Sequence, residues 1–375
     1  MHVYLDNAAT TPMDVQVIDK MTEVMHDCYG NASAIHGQGR KAKAEVEMAR
    51  KEIAKVLNCN GPEIVFTGSG TEADNMALRC AVNDLDVTHI ITSKIEHKAV
   101  LETAQELEAK KAITISYVKL DQMGRADLAD LERLAEEKPR SLISLMHANN
   151  EIGTLNDIKA ISKIARAHGC YFHTDTVQTI GHYPIDLKVT DVDFLACSAH
   201  KFHGPKGVGF LYKSKSLRIR PIMTGGGQEG SLRAGTENVT GIVGLAKALE
   251  VASRNIEVKI NAVQRNKTYF KEQLEKEING IRFNGDTSEQ GSLYTILNVS
   301  LPPNDNASTL LFQLDMNGIY VSGGSACNSG AIGSSHVLEG IGHPTNRSAV
   351  RFSFSKFTTR KELDYAVGKL KELYP

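Results

Sequence analysis

Short apolar runs alternate with amphipathic stretches along the first two-thirds of the chain. EIVFT (63–67), THIITS (88–93), ITISYV (113–118), SLISLM (141–146), CYFHTD (170–175), VDFLAC (192–197) and GVGFLY (207–212) are brief and mostly β-branched, aromatic or small, the mark of interior strands. Between most of them, apolar residues recur at helical spacing, as in TEADNMALRCAV, HKAVLETAQELEAK, ADLADLERLAEE and NDIKAISKIARAH; residues 37–57 carry the same period. This pattern predicts an α/β fold: a mostly parallel seven-stranded sheet covered by helices on both faces. VDFLAC and GVGFLY lie too close together for a helical crossover, so one strand there runs antiparallel. Near residue 250 the texture changes. The stretch 240–278 reads as one long connecting helix. It leads into a smaller α+β region, where ILNVSL, GIYVS and AVRFSFS are strands and TRKELDYAVGKLKELY is a closing helix.

Composition narrows the classes. A chain of 375 residues suggests about two domains. Its net charge of −1, without a basic block, gives no electrostatic reason to expect nucleic acid or an anionic membrane as partner. No apolar run approaches the ~20 residues of a membrane span. MHVYLDNAATTP has neither a basic leader nor an apolar core, so a cytoplasmic location is expected. The six cysteines form no CxxC pair and have no histidines at zinc-like spacing, so no metal site is expected. Most of them read as small buried hydrophobes.

The residues just beyond the candidate strands change the picture. GSGTE (68–72), EHK (96–98), HANNE (147–151), HTDTVQ (173–178) and SAHK (198–201) put five polar clusters at one sheet edge, where open α/β sheets bind ligands. Lys201 ends an interior strand. Such a lysine is more often a snorkelling or ion-paired group, but it is also the residue that forms a Schiff base with a carbonyl cofactor. Pyridoxal phosphate needs that amine, a carboxylate for its ring nitrogen, a phosphate cup and a flat group against the ring. Asp175 suits the nitrogen, though it also reads as a turn or N-cap aspartate. GSGTEADN opens a helix with exposed N–H groups suited to phosphate. His97 is placed to stack. Cys327, in VSGGSACNSGAIGSSHVL, has the glycine- and serine-rich surroundings of a flexible, exposed loop, unlike a buried structural thiol.

YLDNAATTP, TGSGTEADN, EH at 96–97, NNEIGT, HTDTVQ, SAHKFHGPKG, GGGQEGSLRAGTEN and VSGGSACNSG occur in that order. As an ordered set they resemble the cysteine desulfurases of the NifS/IscS type, within the fold-type I pyridoxal-phosphate enzymes, from residue 4 to the last helix. The resemblance implies a large cofactor-binding domain over 15–254. It also implies a smaller α+β domain from 1–14 and 255–375, carrying the cysteine loop at about 322–336. It makes Lys201 the Schiff-base lysine, Asp175 the ring-nitrogen partner, Gln178 the partner of the ring hydroxyl and His97 the stacking histidine and a candidate proton carrier. Val177 would pack on the opposite ring face. Gly70, Thr71, Ser198 and His200 would form the phosphate cup. Asn150 would lie beside ring and substrate, and Arg351 would grip the substrate carboxylate. Thr236 would reach the phosphate of the neighbouring subunit of a homodimer with shared sites. The implied reaction removes sulfur from L-cysteine, releases L-alanine and leaves a persulfide on Cys327 for an acceptor protein, such as an iron–sulfur scaffold or a thiolation protein.

Some positions depart from the family's pattern. NASAIH (31–36) lacks a usual proline, Thr176 replaces a small apolar residue, Gly230 stands where an arginine is usual, and Gly323 and Asn328 alter a serine-rich context. The closing ELYP suggests that the tail some members use to dock a scaffold is short. An aminotransferase, a β-eliminating lyase or a selenocysteine lyase would share Lys201, Asp175 and His97; the first two have no need of Cys327. A non-catalytic sulfur-transfer partner would need none of these groups.

Overall fold

A computed structural model describes residues 1–304, 308–323 and 335–374. Its strands are β1 (Val3–Tyr4), β2 (Ile64–Thr67), β3 (His89–Thr92), β4 (Thr114–Tyr117), β5 (Leu142–Ser144), β6 (Tyr171–Asp175), β7 (Phe194–Ser198), β8 (Gly209–Lys213), β9 (Arg282–Asn284), β10 (Ile296–Ser300), β11 (Ile319–Tyr320) and β12 (Ala349–Ser353). The helices are α1 (Val15–Asp27), α2 (Gly37–Leu57), α3 (Gly70–Asp84), α4 (Lys98–Ala109), α5 (Leu128–Glu137), α6 (Ile158–Ala167), α7 (Val239–Ser253), α8 (Ile256–Glu277), α9 (Leu310–Met316), α10 (His336–Gly340) and α11 (Arg360–Leu373).

Seven strands form the main sheet in the order β2-β8-β7-β6-β5-β3-β4. Strands β3 to β7 pair parallel, and β8 runs antiparallel to both its neighbours, β7 and β2. With β8 reversed, β2 points the same way as β7, so the carboxyl ends of β2, β3, β5, β6 and β7 meet at one edge. The period-2 geometry of a strand explains its two-sided burial. Along β7, Leu195 and Cys197 join one core with Ile53 of α2 and Leu249 of α7. Phe194 and Ala196 join the opposite core with Met76 and Ala77 of α3.

A further core collects Val3 and Leu5, Phe270 and Leu274 of α8, Leu297 and Val299 of β10, Phe352 of β12 and Leu363 of α11. Its antiparallel sheet runs β12-β10-β9, and β1 pairs parallel with β11 beside it. The N-terminal strand thus packs with the C-terminal third of the chain.

The expected single helix over 240–278 is two. Arg254 is extended and Asn255 is left-handed (φ 49°, ψ 42°), so α7 stops and α8 starts in a new direction. Asparagine adopts this conformation more readily than most residues, and an unbroken apolar period hides it. Of the cysteines, Cys28, Cys80, Cys170 and Cys197 are buried, Cys59 is half-buried, and all five are free thiols. Cys327 and Asn328 lie outside the described residues. No helix among the described residues is long and apolar enough to cross a membrane.

Candidate active site

Strand β7 ends at Ser198, and Ala199–Lys201 continue as one tight 3-10 turn. The turn is clamped from below: the Lys201 carbonyl meets His182 Nε2 at 3.0 Å, and His182 Nδ1 lies 2.9 Å from the Tyr294 hydroxyl. Lys201 Nζ donates to the carbonyls of Ala8 (2.6 Å) and Ala9 (2.9 Å). The amine is therefore half-buried against the N-terminal segment rather than snorkelling to the surface.

It opens on a cavity of about 350 Å³. Gly70, Thr71, His97, Asn150 and Asp175 line it, together with Gln178, Ser198, His200, Lys201 and Arg351. Thr236 does not: it is exposed and borders a separate cavity of about 180 Å³ at the outer edge of β2. Cys327 falls among the residues left undescribed.

Each wall has a local cause. Ser69 caps α3 by accepting the N–H of Glu72 at 3.1 Å, which leaves the first N–H groups of the helix facing the cavity. A side chain at Gly70 would put its Cβ 2.5 Å from Val177 Cγ2, so any other residue here would have to displace Val177. His97 caps α4: its Nδ1 accepts the Ala99 N–H at 3.1 Å. The proton of the neutral ring is therefore on Nε2. Burial pushes the imidazole below its usual range, against the pull of Asp175. Asp175 ends β6 and accepts the Val177 N–H at 2.8 Å; burial raises its carboxyl while His97 and Lys201 pull it down. Gln178 donates to the Ala8 carbonyl at 3.1 Å.

The NNE turn divides its labour. Asn149 Oδ1 accepts the N–H groups of Glu151 (2.9 Å) and Ile152 (3.0 Å) and shapes the turn. Asn150 Oδ1 is buried with no partner among the described residues, and the Asn150 carbonyl accepts Arg351 Nη1 at 2.8 Å. Arg351 is almost fully buried; Nη2 donates to Asp6 at 2.9 Å, and Nε has no partner among the described residues. Asp6 also accepts the Ser322 hydroxyl at 2.8 Å. Thr176 is satisfied where a small apolar residue is usual, because its hydroxyl donates to the Ala196 carbonyl at 2.8 Å. The NASAIH loop lines neither cavity.

Several site groups were not singled out in the sequence. Asp74 and Glu151 line the cavity and sit inside the quoted motifs GSGTEADN and HANNE, yet nothing separates them from solvated carboxylates until burial is known. Asp74 lies 3.3 Å from the buried His173, and burial with the nearby Asp175 charge drives its carboxyl well up. Glu96, whose carboxylate accepts the Met146 N–H at 2.9 and 3.1 Å, is raised by burial to about 8. His336 also lines the cavity, with Nε2 2.9 Å from the Glu96 carbonyl; it sits inside the quoted VSGGSACNSGAIGSSHVL, where only Cys327 was singled out.

The aminotransferase class-V family model matches residues 3–366. Cysteine desulfurase IscS of Dictyoglomus turgidum is 43% identical over 375 aligned residues, covering 99% of this chain and 94% of that protein. A solved NifS-like protein superposes with a TM-score of 0.91 at 38% identity, covering 99% of both chains. The solved complex of SspA with cysteine superposes with a TM-score of 0.82 at 31% identity, covering 95% of this chain and all of that one. The chain belongs to the aminotransferase class-V family and, within it, to the cysteine desulfurases of the IscS and NifS type.

Proposed function

We propose that the Lys201 cavity binds pyridoxal phosphate and L-cysteine, and that Cys327 receives the substrate sulfur as a persulfide while L-alanine leaves. The observation that carries this is the meeting of an amine, a buried carboxylate, a neutral imidazole and a buried arginine in one cavity at the carboxyl edge of a parallel sheet.

The residues present fit the cofactor. Gly70 leaves room at the α3 N-terminus, whose free N–H groups, with Thr71, Ser198 and His200, suit a phosphate. Asp175 would hold a proton on the ring nitrogen, Gln178 the ring hydroxyl, and His97 one ring face. When bound, the ring withdraws electrons from the substrate Cα. Lys201 would hold the aldehyde at rest and afterwards carry the Cα proton. Among the described residues, Arg351 Nε and Asn150 Oδ1 have no partner, which suits the first to the substrate carboxylate and the second to accepting from ring or substrate.

The partition at 15–254, against 1–14 with 255–375, belongs to this reading; it is supported by the separate core that β1, α8 and α11 share. So does a homodimer. Thr236 is exposed, and the loop that meets its segment through Ser33 and Gln228 carries Ile35, 91% exposed. The five free thiols favour a reducing compartment, the cytoplasm. A separate protein would take the sulfur onward.

Incubation of the holoenzyme with L-cysteine, followed by intact-mass analysis, tests the reading. The expected result is a gain of one or more sulfur atoms with release of alanine, the gain being lost in Cys327→Ser. Pyruvate or a keto acid without the gain would move the protein to a lyase or aminotransferase. The bound cofactor should absorb near 390–420 nm, roughly, and Lys201→Ala should abolish that band.

A further inference from the structure

We infer that Glu229 is a positioning residue that holds Thr236 out for the cavity of a neighbouring protomer; this rests on the shared-site reading above. Residues 222–227, 230–231 and 235–236 are exposed, yet the segment is not slack. Glu229, Gly230 and Ser231 follow one another with φ of 49°, 63° and 67°, three left-handed residues in a row. For the two that carry a Cβ this costs about 1–2 kcal/mol each. Strain of that kind persists where the surroundings over-determine the backbone.

The surroundings here are charge. The Glu229 side chain is only 4% exposed and turns inward. It accepts both terminal nitrogens of Arg50, each at 2.8 Å, and the Phe66 N–H, also at 2.8 Å. β2 is an edge strand, so its outward N–H groups have no strand to pair with, and Glu229 satisfies one of them. Arg50 is fixed in turn by the Ile64 carbonyl at 2.6 Å and by the Phe66 ring, 4.7 Å below its guanidinium carbon.

A second tether closes the arch. Arg233 Nε and Nη2 reach the Glu72 carboxylate at 2.7 and 3.2 Å, and Glu72 also accepts the Gly68 N–H at 2.7 Å. Only Ala234 and Gly235 separate that tether from Thr236. The threonine thus stands three residues from that tether, at the rim of a cavity that is not the Lys201 cavity of its own chain. Gln228 Nε2 lies 3.5 Å from Ser33 Oγ, which joins the arch to the loop that exposes Ile35, the apolar face a second copy would cover. Exchanging Glu229 for glutamine leaves Arg50 with only the half-exposed Glu47 carboxylate, at 3.3 Å, as counter-charge, sets an amide NH2 against the guanidinium and weakens what holds the left-handed residues.

Mixed dimers test this. Glu229→Gln homodimers are expected to bind added pyridoxal phosphate at least about tenfold more weakly, by fluorescence titration of cofactor-free protein, and to lose activity. Mixing Glu229→Gln with Lys201→Ala protomers should restore tight binding at one site per hybrid and up to about one quarter of wild-type activity, since about half of randomly mixed dimers are hybrids. Thr236→Ala mixed with Lys201→Ala is the reference. If that pair recovers and the Glu229 pair does not, Glu229 serves only its own chain and the inference falls. If neither pair recovers, the shared-site reading falls and takes the inference with it. Should Glu229→Gln fail to form dimers, the double variant Arg50→Met, Glu229→Leu removes both charges and leaves no buried ion unpaired; the same recovery is expected of it.

Discussion

His97 accepts a backbone N–H with Nδ1, so its neutral ring presents Nε2–H as the donor. A side chain that caps a helix in this way cannot rotate freely, which suits a group that must lie flat against a planar ring. Asp6 does comparable work for Arg351. It takes one Nη2 hydrogen while the Asn150 carbonyl takes one from Nη1, so the fork is aimed before any substrate arrives. Asp6→Asn is expected to raise KM for L-cysteine about three- to tenfold, with kcat within about twofold of wild type, because the lost interaction orients a binding group and not a reacting one. Steady-state kinetics checks this; an equal fall in kcat with KM unchanged would refute it. Neither pairing is visible in the sequence, where Asp6 lies in YLDNAATTP and Arg351 in AVRFSFS.

Helix ends decide the site at the next scale. Ser69 before α3 and His97 before α4 cap their helices and set the cavity wall at once. Gly70→Ala would force Val177 aside and is expected to weaken cofactor retention about tenfold or more while leaving the fold intact; equilibrium dialysis against pyridoxal phosphate measures it. The break between α7 and α8 makes a separate point. Asn255→Val should cost about 1–2 kcal/mol in urea unfolding, and Asn255→Gly close to nothing, because only the first opposes the left-handed backbone. The strands and helices of the large sheet were legible because each is a clean run of one period. This junction was not, since the apolar spacing on either side of Asn255 carries straight through.

For the whole molecule, burial of titratable groups links the fold to pH. His147, hydrogen-bonded to Thr179 at 3.0 Å, is lowered to about 4 by burial; His173 is lowered to about 3. The unfolded chain binds these protons near pH 6.5, so between about pH 4 and 6.5 the unfolded state holds more protons than the fold. The histidine contribution is therefore complete above pH 6.5 and lost as pH falls. Glu96, raised to about 8, acts with the opposite sign between about pH 4.5 and 8, since the fold keeps a proton that the unfolded chain releases. The measure is thus a single-site comparison. Between pH 7 and pH 5, wild type should lose up to about 2 kcal/mol more stability than His147→Gln, read from denaturant unfolding at both pH values. Parallel losses would mean that His147 does not stay neutral in the fold.

The amino-acid sequence by itself determined the alternation of strand and helix, and with it the sheet edge at which Lys201, Asp175 and His97 come together. Periodicity and strand direction are local properties, and they suffice to bring consecutive strand ends to one side. Only the tertiary structure decided that Thr236 faces away from that cavity, that Asp6 grips Arg351 across 345 residues of chain, and that Glu229 turns inward to Arg50. The energy of a charge pair depends on distance and desolvation, and packing alone sets both.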